Sequence, residues 1–289
     1  MRAAFPETAG RLDRDGVELG FEVYGDGPAT ILLLPTWTII HTRFWKMQIP
    51  YLSRHFRVVT YDGPGNGRSE RVLDPTRYTP ASYAEDALAV LDAAHVRSAV
   101  VVGLSKGAQY GTMLATKAPE RVDGLVMIGP SLPIAPPVPE RASIDANFYE
   151  PYPADVSGWG KYNLAYWHDH YPDFVEFFFT GCFSEPHSTK PIEDSVGWAL
   201  ETTPSVLEAE AVDPEPEPDW MALLRNLRCP TMVIHGTGDR ISAYERGRLA
   251  AEFSNGTLLT MEGSGHIPNV RDPVKVNLAI YEFVRTVTT

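Results

Sequence analysis

A serine held between two glycines, Gly103-Leu104-Ser105-Lys106-Gly107, is the stretch whose residue types could do covalent chemistry. A serine hydroxyl attacks poorly at neutral pH because its proton must leave as the new bond forms, so a base is needed nearby. Before it, Val100, Val101 and Val102 make a β-branched apolar run, the pattern of a strand buried on both faces. After it, the small residues Ala108, Gly111, Thr112 and Ala115 recur at helical spacing and predict one closely packed helix face. Ser105 therefore falls at a strand-to-helix corner, where Gly103 and Gly107 remove the Cβ atoms that would crowd so sharp a turn. The expected result is a hydroxyl pushed into a crevice beyond the carboxyl end of a strand.

Around that corner the chain alternates strand and helix. Val17 to Tyr24 alternates apolar and polar residues between Gly16 and Gly25, and reads as an early antiparallel strand. Ala29 to Pro35 and Phe56 to Tyr61 read as buried strands, with a short helix from Phe44 to Leu52 between them. Ser82 to Ala94 sets Ala84, Ala87, Leu88 and Leu91 on one face and acids on the other, an amphipathic helix. Val122 to Ile128 is a further buried strand. Such a rhythm implies an α/β fold, a mostly parallel doubly wound sheet with helices on both faces. From Ser131 to Arg228 it stops. The prolines of SLPIAPPVPE give way to helical patterns crowded with aromatic residues, then to a stiff acidic connector from Asp213 to Asp219. Strand and helix resume at Thr231 to His235, Tyr244 to Phe253, Thr257 to Met261 and Pro273 to Val287.

Other chemistry-bearing residues are less telling. The glycine cluster from Asp62 to Ser69 lacks the Lys-Ser/Thr ending of a phosphate loop, and Arg68 stands where a dinucleotide fingerprint needs its third glycine. His168 and His170 are two apart, so a helix points them to different faces, and no metal site is expected. No cofactor is implied.

The G-x-S-x-G corner between a strand and a helix resembles the nucleophile elbow of the α/β-hydrolase family. The turn from Asp62 to Ser69, D-x-x-G-x-G-x-S, is similar to one the family carries at the same place, so its meaning is structural. The resemblance spans nearly the whole chain, with residues 1–130 and 229–289 as the core and residues 131–228 at the place where the family often inserts a helical cap. It implies a triad in the order Ser105, Asp239, His266. Asp239 lies in the turn just past the strand TMVIH, and His266 in a glycine-flanked loop between the last strand and the last helix. It also implies an oxyanion hole from the backbone N–H groups of Lys106 and Trp37. Trp37 belongs to Pro35-Thr36-Trp37, which departs from the family's usual His-Gly at this loop, yet its N–H persists whatever the side chain. A substrate pocket is expected from Trp37, His41, Trp159, Tyr166, Trp167 and Phe178. The Lys106 ammonium reads as a solvated side chain at a helix start, with an anchor for an acidic substrate as the lesser alternative.

A net charge of −12 on 289 residues argues against nucleic acid or an anionic membrane as partner. The N-terminal stretch lacks the apolar core of a signal peptide, and no run approaches a membrane span, which together with only two cysteines predicts a soluble cytoplasmic protein. The resemblance implies hydrolysis of a small-molecule carboxylic ester through an acyl-serine. Carbon–carbon cleavage of a vinylogous diketone, lactone opening and acyl transfer use the same triad, and a low-turnover receptor could keep the pocket. A serine nucleophile separates the chain from haloalkane dehalogenases and epoxide hydrolases, which use aspartate. An apolar cap surface could support a homodimer.

Overall fold

The computed structural model describes residues 4–212 and 214–288. Eight strands form one sheet: β1 (Thr8–Arg14), β2 (Val17–Tyr24), β3 (Thr30–Leu33), β4 (Arg57–Tyr61), β5 (Ala99–Leu104), β6 (Val122–Ile128), β7 (Thr231–Gly236) and β8 (Thr257–Met261). Their spatial order is β1-β2-β4-β3-β5-β6-β7-β8. The first two pairings, β1 with β2 and β2 with β4, are antiparallel, and every later one is parallel. Strand β1 has no counterpart in the sequence reading, because its residues are polar and largely exposed at the sheet edge.

Alternate residues of the central strands divide between two cores. Ile31, Leu33, Val100, Val102, Val126 and Ile128 face one way, onto Val276, Ile280 and Val284 of the last helix, α8 (Pro273–Thr288). Leu32, Val101, Leu125, Met127 and Val233 face the other way, onto α1 (Pro80–Ala93) and α2 (Lys106–Lys117). This is a period-2 pattern on a sheet buried on both sides. The small-residue face of α2 serves the packing: a Cβ at Gly111 would stand 2.7 Å from Leu125.

Chain direction across the sheet reverses at β3, which pairs with β4 on one side and β5 on the other. The loops leaving β3 and β5 therefore splay apart at their carboxyl ends and open a crevice, the place where such sheets bind ligands. The segment after β3 folds as a 3₁₀ turn, Thr42–Met47, followed by a separate short helix, Ile49–Leu52, in place of the single helix expected; Pro50 at its first turn cannot continue the preceding hydrogen-bond ladder.

Between β6 and β7 the described residues form helices and no strand. The longest are α3 (Leu164–Cys182), α4 (Thr189–Ala199) and α5 (Pro204–Ala211), followed by α6 (Trp220–Arg225). Helix α3 kinks at His170, two residues before Pro172. Of the acidic connector read from the sequence, Asp213 lies outside the described residues. Trp220 and Leu224 of α6 share a core with α2 and with α7 (Tyr244–Phe253). Among the described residues no helix is long and apolar enough to cross a membrane.

Candidate active site

Ser105 lies between β5 and α2 with φ 55° and ψ −115°, a conformation that L-residues rarely adopt. The corner is held from both sides, by the Ser105 N–H to the Ile128 carbonyl at 2.9 Å and by the Ser105 carbonyl to the Ser131 N–H at 3.2 Å. Both glycines are required sterically. A Cβ at Gly103 would meet the Gly107 carbonyl at 2.2 Å, and one at Gly107 would meet the Pro35 carbonyl at 2.6 Å. The second contact draws the start of α2 against the loop that leaves β3 and carries Trp37.

Asp239 and His266 leave neighbouring strands. Asp239 follows β7, and its Oδ2 accepts from Nδ1 of His266 at 2.7 Å. Its Oδ1 accepts the N–H groups of Ile241 at 2.7 Å and Ser242 at 2.9 Å. His235, the penultimate residue of β7, adds Nε2 to Oδ2 at 3.0 Å. Burial alone would push the Asp239 carboxyl up, but the charge and hydrogen bonds of His266 and His235 outweigh it and hold the group well below the usual carboxylate range. With Nδ1–H committed to a carboxylate, the free nitrogen of His266 is Nε2, and such an imidazole can take a proton there. The His266 loop is fixed by its N–H to the Cys182 carbonyl of α3 at 2.8 Å. Gly129 leaves room for its ring, since a Cβ there would stand 3.2 Å from Nδ1.

His235 is a residue to which sequence reading assigns no role beyond closing a strand. The signal available was its place four residues before the acid, at the end of the same strand.

Trp37 is buried beneath the helical segment, with its ring 4.9 Å from Phe178, 5.9 Å from Trp167 and 5.9 Å from Tyr162 between centroids. Trp159 joins the same cluster against Phe177 and Phe178. Two expected pocket residues do not. Tyr166 turns away from Trp167, its neighbour on the helix, to donate its hydroxyl to Asp173 and pack on Tyr152 and His170. His41 lines a different cavity with Trp198 and Glu201, 3.3 Å from the Glu201 carboxylate, because it caps the 3₁₀ turn that leads away from the crevice.

The Lys106 ammonium turns inward instead of into solvent. It pairs with Glu210 of α5 at 3.0 Å, and that carboxylate is fully buried. Its charge is thus met from within the chain. Lys106 also borders a cleft of about 350 Å³ with Gln109, Tyr110, Phe148, Tyr162 and Glu210, which reaches the flank of the Ser105 corner.

Comparison with known proteins bears on what this crevice does. A family model described as the alpha/beta hydrolase fold matches residues 29–273. A Caulobacter protein that carries the name carbamate hydrolase RutD (strain K31) is 29% identical over 259 residues, covering 83% of this chain and 85% of that protein. A protein named 3-oxoadipate enol-lactonase 2, from Acinetobacter baylyi, is 24% identical over 93% of this chain and 94% of its own. Among solved structures, a hydrolase from Pseudomonas aeruginosa is 28% identical and superposes with a TM-score of 0.75 over 96% of this chain and 98% of that one.

Proposed function

Because the chain belongs to the α/β-hydrolase family and is a hydrolase, we propose that it cleaves small carboxylic esters through an acyl-serine intermediate on Ser105, Asp239 and His266. The observation that carries the reading is the His266–Asp239 bond of 2.7 Å on a carboxylate whose second oxygen is saturated by backbone N–H groups, together with a strained Ser105 that bonds Ile128 next to Gly129, on which the His266 ring packs.

Nε2 of His266 takes the Ser105 proton as Oγ bonds to the substrate carbonyl carbon. The carbonyl π electrons move to oxygen, and the N–H groups of Lys106 and Trp37 receive the oxyanion, each worth roughly 3 kcal/mol by analogy with known donors. Collapse breaks the bond to the alcohol, which leaves with the proton from Nε2. Water then repeats the sequence on the acyl-serine and releases the acid. Asp239 keeps Nδ1–H oriented and stabilises the imidazolium without taking its proton. The aromatic cluster on Trp37 suits an apolar substrate portion, and with Lys106 already paired to Glu210 a neutral ester is favoured over an anionic one.

Turnover of p-nitrophenyl esters, simple lactones, an N-aryl carbamate and a dienol diketone by the protein and by Ser105→Ala tests this. Sustained ester or lactone hydrolysis, lost by a factor of about 10⁴ or more in Ser105→Ala, is expected. Cleavage of the diketone alone, or one burst with no further product, would overturn it. The relatives named for carbamate and enol-lactone hydrolysis supply the reason for including those bonds in the panel.

A further inference from the structure

We infer that Glu210 is a positioning residue for the oxyanion loop, fixing the peptide beside Trp37 from the helical segment. The inference rests on the reading of Trp37 and Lys106 as oxyanion donors.

Trp37 has no glycine beside it to set its backbone. Its two neighbours are tied down instead. On one side the Thr36 hydroxyl donates to the Leu104 carbonyl at 2.8 Å, the residue before Ser105. On the other side every polar group of Thr38 is used: its N–H donates to Oε2 of Glu210 at 3.0 Å, its carbonyl accepts from the Asn66 amide at 2.5 Å, and its hydroxyl lies 2.9 Å from that of Tyr83. The other oxygen of Glu210, Oε1, meets the Lys106 ammonium at 3.0 Å and the Tyr110 hydroxyl at 3.3 Å. One fully buried carboxylate therefore spans the residue after Trp37 and the residue after Ser105. A hydrogen bond from a backbone N–H to an ionised acceptor in a dry site is strong and directional. It fixes the orientation of the peptide that follows Trp37, and with Thr36 on the other side the N–H of Trp37 is aimed before substrate arrives. Donors aimed in advance lower the barrier and not the substrate's binding energy.

The test compares Glu210→Gln with Glu210→Leu. Both remove the ion pair with Lys106, so that loss cancels between them, and only glutamine keeps an acceptor for the Thr38 N–H. Each is assayed on the best ester of the panel for kcat and KM separately, and for the inhibition constant of an aryl boronic acid, whose tetrahedral adduct with Ser105 needs the oxyanion donors. The thermal midpoint and circular dichroism establish the folded fraction by which kcat is corrected. If Glu210→Leu does not fold, Glu210→Met, longer and more adaptable, replaces it. We expect kcat about tenfold lower in the apolar variant than in Glu210→Gln, boronate affinity falling in parallel, and KM equal within about twofold. Equal kcat in the two folded variants would overturn the inference while leaving the serine hydrolase reading intact, as would a difference confined to KM. Absence of Ser105-dependent turnover on every substrate would overturn both.

Discussion

The two ends of the proposed site are held in place by different means. At the proton-relay end, three of the four hydrogen bonds on Asp239 come from within four residues of it, from His235, Ile241 and Ser242. At the oxyanion end, the loop around Trp37 is fixed by partners 28, 45, 68 and 172 residues away in sequence, on Asn66, Tyr83, Leu104 and Glu210. A locally built turn forms whenever its strand forms. A loop fixed from afar takes its geometry only once the sheet, α1 and α5 have all packed. Asp239 is thus set by its own turn, His266 takes one backbone bond from the end of α3, and the loop around Trp37 depends on α5 through a buried carboxylate.

The largest break is expected at the local end. Asp239→Asn keeps the shape of the turn but removes the charge that fixes the His266 tautomer, and kcat should fall by about 10⁴. His235→Phe retains a ring packed on Gly247 and deletes the Nε2 that lies between Oδ2 and the Ser242 carbonyl; kcat is expected to fall about tenfold, since three other donors remain on Asp239. At the distant end Thr36→Val, which removes the hydroxyl bonded to Leu104, should lower kcat by less than about tenfold at unchanged KM. If Thr36→Val proves more damaging than His235→Phe, the contrast between the two ends is wrong. The finest distinction is one of acid stability. Asp239 is held below its unfolded value of about 3.9, so its ionised form stabilises the fold above that pH, and the contribution is lost as pH falls toward the folded value. The difference in urea midpoint between the protein and Asp239→Asn should therefore narrow below about pH 4. A difference that widens there would contradict the assigned hydrogen bonds.

The same contrast explains what could be read before any coordinates. The corner at Ser105 was legible because its glycines, valines and small residues lie within eighteen positions and each answers to one local requirement. Strands β2 and β6 and helix α7 have the bounds that their periodicity and flanking residues predict. Glu210 was not legible. A glutamate near the end of an eight-residue helix has the composition of a solvated face, and only the fold reveals that Lys106, Thr38 and Tyr110 converge on it. The side that Tyr166 takes was hidden for a related reason: aromatic content shows that a helix is buried, while the direction of each ring depends on the element packed against it. His235 lay in between, close to Asp239 in sequence but hidden within an apolar strand.

The carbonyl of Cys182, at the far end of α3, accepts the N–H of His266. The same helix carries Trp167, Phe174 and Phe178 over Trp37. A motion that lifted this helix bodily off the sheet would take away the support of the proton acceptor along with the cover. Any opening that leaves the relay assembled must swing about Cys182 as its fixed point, with the free travel at the Leu164 end. The bend at His170 and Pro172 lies between the two. Trp167 lies on the Leu164 side of that bend and Phe174 and Phe178 on the docked side, so the cover over Trp37 is divided between the two halves of one helix.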